Sequence, residues 1–493
     1  MSQSRIMYGA VLLTALVGSA AAITHSKKTI LSPRPQGVNT AMEYTTWNQH
    51  PYKKHAPNIR SHVQATAFYQ ASQRGSALGK YFGIGNGSNS FTIGPAANVA
   101  SGTADVDGSL LIHNLNARTG AVTAPQGTIT FDPKQETFGV RFDYFQDLTH
   151  PFDKLFFRAS APLVDIETNV HMNVANSVPS AVGGQSYSLA NFFAGQVSVT
   201  DKTAYPANLQ TNLNHDMIIG RRTELGLGDL DLGLGYKYLD DAKKHVFFSL
   251  DLTIPTGNKV HSRYLFQPVC GNGLHVGLGG SIDAGIDLWH SEKALLKLLG
   301  VVRYKYLFEN TEHRTLDVKG YKFSQYYLLA QDQQANLPLI PAANILTLPT
   351  TVKPGSQLDG MLDFVFNCCK FTLDLGYNMY WRDAESVWVK RFANATYGIV
   401  KNNYNTQAAF NAVGGDAATI PLNGHLLTTS DLDVTAIKTP TLFSHKLFAG
   451  MGYSFNFYKQ YMSSVGIGGS YEFATSNADL ENYALWAKMM FSF

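Results

Sequence analysis

From Leu274 to Leu288 the chain sorts its side chains into two sets that do not mix. Leu274, Val276, Leu278, Gly280, Ile282, Ala284, Ile286 and Leu288 make one set. His275, Gly277, Gly279, Ser281, Asp283, Gly285 and Asp287 make the other. Successive side chains of a strand point to opposite faces, so this run makes a strand with one greasy face and one small or charged face. It is longer than the ~5–6 residues usual in soluble sheets and suits a tilted crossing of a bilayer. The pattern recurs at 229–239, where Leu230, Leu232, Leu234, Tyr236 and Tyr238 oppose Asp229, Asp231, Gly233, Gly235 and Lys237. It recurs again from Val246 to Ile254.

Read to the end with this template, the chain gives about twelve strands of an all-β, transmembrane antiparallel β-barrel with long external loops. They fall near 61–72, 136–148, 154–165, 229–239, 245–254, 274–288, 294–308, 357–367, 371–382, 442–457, 462–474 and 480–493. Segments near 107–114 and 127–132 would add a hairpin and raise the count to about fourteen. Short connections (149–153, 240–244, 289–293, 368–370, 458–461) alternate with long ones (73–135, 166–228, 255–273, 309–356, 383–441); only 475–479 departs from this order. Outer-membrane barrels have short periplasmic turns and long external loops, so both ends of the barrel chain are expected on the periplasmic side. Aromatics gather at the expected strand ends, Phe142, Tyr144, Tyr236, Tyr238, Tyr453, Phe455 and Phe457 at one interface. Tyr304, Tyr306, Phe308, Tyr377, Trp381, Tyr471 and Phe473 stand at the other.

Residues 1–22 read as a secretory signal peptide: Arg5, an apolar stretch from Ile6 to Val17, and the small residues Ser19 to Ala22. The mature chain is expected to start near Ile23, and its destination is the bacterial outer membrane. Residues 23–60 are basic and turn-rich and are expected to form a flexible N-terminal periplasmic segment or a small plug, with 61–493 as the barrel. No later run approaches the ~20 apolar residues of a spanning helix. The formal net charge of +3 gives no argument for nucleic acid.

The last strand carries Tyr483, Leu485, Ala487, Met489, Phe491 and Phe493 at period two. A terminal aromatic on an alternating apolar face resembles the assembly signal of Gram-negative outer-membrane β-barrel proteins, porins among them. The resemblance implies recognition by the barrel-assembly machinery. A second, local resemblance rests on Gly226-Leu227-Gly228-Asp229-Leu230, leading to Tyr236, and on Ile254-Pro255-Thr256-Gly257. This hairpin is similar to the outer-membrane transporter family associated with phenol degradation, and would imply uptake of hydrophobic or aromatic compounds. The Asn-Pro-Ala hatch of the related fatty-acid channels has no counterpart.

The second face of the strands would line the lumen. It carries His62 and Gln64, and the pore-lining candidates Arg141, Asp143, Arg158, Lys237, Asp251, Asp283, Asp287, Arg303, Lys305, Asp374 and Arg382. Ionisable groups inside a membrane face water or one another and often mark a pathway. Both signs occur, which suits either a wet channel or a salt-bridged interior. Arg141, Arg158, Arg303, Lys305 and Arg382 would make one side of a field across a pore. The apolar loop from Leu337 to Thr351 is expected to cover the mouth, pack on a partner, bind a greasy solute or pack on itself.

The function expected is therefore an outer-membrane pore for small solutes, with outer-membrane lipid and those solutes as partners and the oligomeric state open. A selective transporter for hydrophobic or aromatic compounds stands as the alternative, beside an adhesin or structural barrel with a blocked lumen, its loop Lys401 to Thr419 on display. No cofactor, metal or catalytic residue is assigned. Cys270, Cys368 and Cys369 have no metal-binding spacing and read as incidental thiols, although a strained bridge between the vicinal pair stays open. Catalysis would need a nucleophile beside a base, and the adjacent Ser444 and His445 point to opposite faces of a strand.

Overall fold

Two-residue periodicity becomes a closed wall in the computed structural model. It describes residues 23–47, 50–51, 60–112, 124–148, 152, 154–182, 185–200, 208–241, 243–331, 338–400, 426–457 and 461–493. The expected signal peptide and the Lys401–Thr419 loop lie outside the described residues.

Twelve strands form the wall: β1 (Ser61–Ser72), β2 (Lys134–Asp147), β3 (Leu155–Asn169), β4 (Leu230–Asp240), β5 (Lys244–Ile254) and β6 (Gly277–His290). They continue as β7 (Ala294–Leu307), β8 (Gly355–Cys368), β9 (Phe371–Arg382), β10 (Leu442–Phe457), β11 (Tyr461–Ala474) and β12 (Asn482–Ser492). Each pairs antiparallel with its neighbour in sequence, and β12 returns to β1 with Ser492 opposite His62 and Asn482 opposite Ser72. Closure leaves none of these twelve with an unpaired edge, as a sheet in hydrocarbon requires. A further strand, Arg222–Leu227, pairs with the upper half of β3 above β4, so that the chain crosses this part of the wall in two pieces.

The apolar face points outward. Phe371, Leu373 and Leu375 are exposed on β9, whereas Thr372, Asp374, Asn378 and Arg382 are buried within. On β12 the exposed residues are Leu485, Ala487 and Met489, with Phe493 just beyond the strand. This outward belt over an inward polar set is the signature of a transmembrane barrel. One strand starts late: Leu274 has φ +71°, a left-handed conformation that breaks extended pairing, so β6 begins at Gly277.

The extra hairpin expected from 107–114 and 127–132 does not join the barrel. Gln126–Thr130 pairs with Ser90–Gly94 and Asn173–Val178 in a separate sheet, beside the two-residue strand Val106–Asp107. These runs fall short of the ~9–11 residues a tilted spanning strand needs.

The six connections at one end of the barrel, the loop end, fold together into a cap with its own apolar core. Tyr81, Phe193, Leu265, Phe323, Leu432 and Leu480 each come from a different connection. The apolar loop expected to cover the mouth contributes Ala342, Ala343 and Leu346 to this core and packs within the cap.

Candidate functional site: the lumen

Residues 23–47, with 50–51 beyond them, run down the inside of the barrel from loop end to turn end. Ile23 bridges Ser476 at the loop end. Thr29 donates to the Thr315 carbonyl in the cap at 2.6 Å. Arg34 then reaches Asp359 of β8 at 3.0 Å and Glu472 of β11 at 2.9 Å. A single helical turn, α1 (Thr40–Tyr44), follows, capped by the Asn39 side chain accepting from the Met42 amide at 3.1 Å. A helix this short has no stability of its own, so its form is imposed by what surrounds it. At the turn end, His50 lies between the hydroxyls of Ser492 and Ser464, at 2.5 and 2.6 Å.

Charged wall residues hold α1 from several sides. Arg303 of β7 grips the Glu43 carboxylate at 2.6 Å, and Arg141 of β2 binds the same carboxylate. Arg141 also donates to Asp143 at 2.7 Å and to the Gly37 carbonyl at 2.8 Å. The Tyr44 hydroxyl donates to Asp283 of β6 at 2.8 Å. Lys488 of β12 donates to the carbonyls of Glu43 and Thr45, both at 2.8 Å. The Thr46 amide donates to Asp374 of β9 at 3.1 Å.

Small wall residues make room for this segment. A Cβ added at Gly450 would stand 2.1 Å from the Thr45 methyl, and one at Gly466 would stand 2.6 Å from the Thr46 hydroxyl. Below α1, Trp47 packs with Phe145, Phe156, Phe247 and Met490 in an apolar layer near the turn end.

The pore-lining candidates thus occupy three levels. Arg141, Asp143, Arg158, Asp251, Asp283 and Arg303 meet around α1, with Arg158 bridging Asp251 at 2.7 Å and Asp283 at 3.4 Å. Lys305 pairs with Asp231 at 2.7 Å nearby. Arg382 lies nearer the loop end, donating to the Ser32 carbonyl at 2.5 Å. Lys237 pairs with Asp147 at the turn end at 2.5 Å, and Asp287 faces Lys297 at 3.9 Å. The basic residues are each countered by a carboxylate or carbonyl.

Sequence reasoning missed Glu43, Tyr44, Arg34, Asp359, Glu472, Lys446 and Lys488. The wall residues among them share the parity of the candidates that were named. The three from the N-terminal segment follow no period that would mark them.

Beside α1 lies a cavity of about 70 Å³ lined by Tyr44, Trp47, Phe145, Arg158, Asp283, Arg303 and Tyr380 among others. That is room for a few water molecules. Trp47 Nε1 and Tyr380 Oη have no hydrogen-bond partner among the described residues.

Outside the lumen, the hairpin that carries the local resemblance forms the break between Arg222–Leu227 and β4. The Gly228 amide donates to the Pro162 carbonyl at 2.7 Å, and the Thr256 hydroxyl donates to the Gly228 carbonyl. All three cysteines are free. Ser444 faces the lumen and donates to Glu472 at 2.6 Å, while His445 turns outward among Tyr377, Phe443 and Phe473.

A closed twelve-stranded wall, greasy outside and charged within, defines a transmembrane β-barrel of the outer-membrane type. No family model matches the sequence, and no curated protein matches it. Among solved structures, an outer membrane channel from Pseudomonas putida F1 is 12% identical over 90% of this chain and 98% of its own, with a TM-score of 0.36. The toluene transporter TodX of Pseudomonas putida is 9% identical over 95% and 98%, with a TM-score of 0.33. The transport unit of the autotransporter AIDA-I from Escherichia coli is 7% identical over 93% and 99%, also at 0.33.

Proposed function

We propose that this protein is an outer-membrane channel closed by its own N-terminal segment, and that solute passes when residues 23–51 shift within the lumen. The observation that carries the reading is the path of that segment. It spans the barrel from cap to turn end and is held by groups on β2, β6, β7, β8, β9, β11 and β12. Short turns and long loops support an orientation with the cap outside the cell and the His50 end in the periplasm. In this conformation the lumen is plugged, unlike that of a permanently open porin. Beside the apolar packing of Trp47, Ala41 and Met42, the segment is held by many hydrogen bonds and ion pairs, which water can replace as it leaves.

The cavity favours solutes with some apolar surface over purely hydrophilic ones. The rings of Tyr44, Trp47, Phe145 and Tyr380 line it together with charged groups that include Glu43, Arg158, Asp251, Asp283 and Arg303. That supports the transporter of hydrophobic or aromatic compounds as the solute class, with small polar solutes as the second reading.

Planar-bilayer recordings test the channel. The chain lacking residues 23–51 is expected to give frequent stepwise conductance where the full chain is mostly silent. Equal silence from a folded, heat-modifiable deletion protein sinks the proposal. Liposome uptake of phenol against a small sugar then separates the two solute classes.

A further inference from the structure

Three stretches of the cap lie side by side away from the lumen. The Asp216 and Met217 amides donate to the carbonyls of Ser262 and Arg263 at 2.9 and 3.0 Å. The Ser262 hydroxyl donates to the His313 carbonyl at 2.7 Å. His313 and Glu312 are neighbours on the extended strand Asn310–Thr315 and point to opposite sides, while the other two stretches bend through left-handed Asp216 and Ser262; across all three the side chains separate by charge. Asp216 turns inward to the Tyr326 hydroxyl, and Glu312 turns inward to His275 and Arg314. His215, His261, Arg263 and His313 turn the other way, into an open cleft of about 540 Å³.

Among the described residues, every ionisable group lining that cleft is a base. The remaining lining comes from Gly195, Leu213, Asn214 and Met217, which bring no negative charge. Arg263 has no ion-pair partner among the described residues; its guanidinium rests over Tyr264, 5.5 Å from the ring centroid, with Arg222 over the same ring at 4.7 Å. His261 and His313 lie 6.1 Å apart, and the Nδ1 atoms of His215 and His313 are buried without a hydrogen-bond partner. No group of three or more His, Cys, Asp or Glu close enough to hold a metal ion occurs among the described residues.

We propose that this cleft binds a phosphate-class oxyanion, with Arg263 as the permanent charge and His215, His261 and His313 as protonable donors. A guanidinium presents paired N–H groups that match the geometry of a phosphate, and charge-assisted bonds of this kind are the strong ones. Without an anion His215 and His313 disfavour protonation. Burial lowers His215, aided by His313 and Arg263, and burial lowers His313, aided by His261 and Lys259. A bound oxyanion reverses those repulsions, so binding is tied to proton uptake and strengthens as pH falls. The site is separate from the lumen and does not depend on how solute passes there.

Isothermal titration of the full chain in detergent with inorganic phosphate tests the site. The expected result is one phosphate per chain at pH 6, at least tenfold weaker binding at pH 8, and at least a tenfold loss at pH 6 in Arg263→Gln and in His313→Gln. Arg263 is exposed and His313 half-buried at the cleft wall, and both variants are expected to keep the parent melting temperature. Absence of phosphate binding at millimolar concentration, or variants that bind like the parent, overturns the proposal. A short-chain phosphatidic acid run in parallel identifies the source: tighter binding than free phosphate marks a lipid headgroup, and equal or weaker binding marks a soluble anion. Uptake of nickel or copper by the histidines in place of phosphate also overturns it.

Discussion

The Glu43 carboxylate receives both terminal nitrogens of Arg303, one on each oxygen at 2.6 Å, while Arg141 binds it from another strand. One anion on the N-terminal segment thus neutralises two cations on separate parts of the wall. Breaking a buried pair by removing one partner typically costs about 3–5 kcal/mol, because the other charge is left uncompensated. Glu43→Gln is therefore expected to weaken the hold on α1 without altering the strands. Single-channel recordings should show more frequent openings than the parent, and N-terminal cleavage by trypsin should quicken. A variant as silent and as protected as the parent would show that this ion pair does not hold the segment.

Thr46 offers the reverse experiment. A Cβ built at Gly466 stands 3.3 Å from the Thr46 Cβ, close to the ~3.5–4.5 Å separation found in disulfides. The double variant Thr46→Cys, Gly466→Cys, made with Cys368 and Cys369 changed to Ser, is expected to cross-link the segment to β11. Oxidised protein should stay closed in bilayers even with Glu43→Gln added, and a reducing agent should restore the openings. Conductance unaffected by oxidation, with the cross-link confirmed by mass spectrometry, would mean that solute passes without movement at Thr46.

Crowding the wall should have the opposite effect to cross-linking. At Gly450 an added Cβ meets the Thr45 methyl at 2.1 Å, and Thr45 is itself held by Lys488. Overpacking of this kind usually costs about 1–3 kcal/mol. Gly450→Val should displace the segment rather than the barrel, since β10 keeps its backbone pairing. The expected result is faster proteolysis before residue 60 with an unchanged β-sheet signal by circular dichroism. Loss of that signal would instead place the strain in the wall.

The barrel was legible because lipid imposes a strict rule on one face. Leu373, Leu375, Leu485 and Met489 must be apolar, and the intervening residues are free to be polar, so period two survives in the sequence. Arg158, Asp251, Asp283 and Arg303 were legible for the same reason: each falls on the inward parity. Their partners Glu43 and Tyr44 were not. They belong to a single helical turn whose conformation the wall dictates, and no periodicity records a shape imposed from outside. The cap was illegible on similar grounds. Tyr81, Phe193 and Phe323 come from separate connections and meet only in three dimensions, so none belongs to a repeating pattern. The break at Gly228 was visible as turn chemistry, but its pairing with Pro162 depends on register across strands.

Asp216 lies on the buried side of the cap, its backbone carbonyl accepting from the Tyr326 hydroxyl at 2.8 Å. Burial raises its carboxyl to about 8, partly offset by the Tyr326 hydrogen bond. In the unfolded chain an aspartate titrates near 4, so between pH 4 and pH 8 the folded state holds a proton that the unfolded state has released. Stability from this group is then complete below the unfolded value and is lost as pH rises toward 8. Glu385 runs the other way: burial alone would raise it, but the Arg314 guanidinium prevails and holds it at about 2, so its contribution is already complete above pH 5. The depressed histidines His215 and His313 act mainly below pH 6.5. From pH 6.5 to 8 the slope due to Asp216 is therefore isolated by Asp216→Asn, which keeps the shape and the neutral state. Thermal melts should show the parent losing stability across this window, by about 1.4 kcal/mol per pH unit at most, and the variant staying flatter. Parallel curves for the two proteins would mean that Asp216 is already ionised in the folded cap.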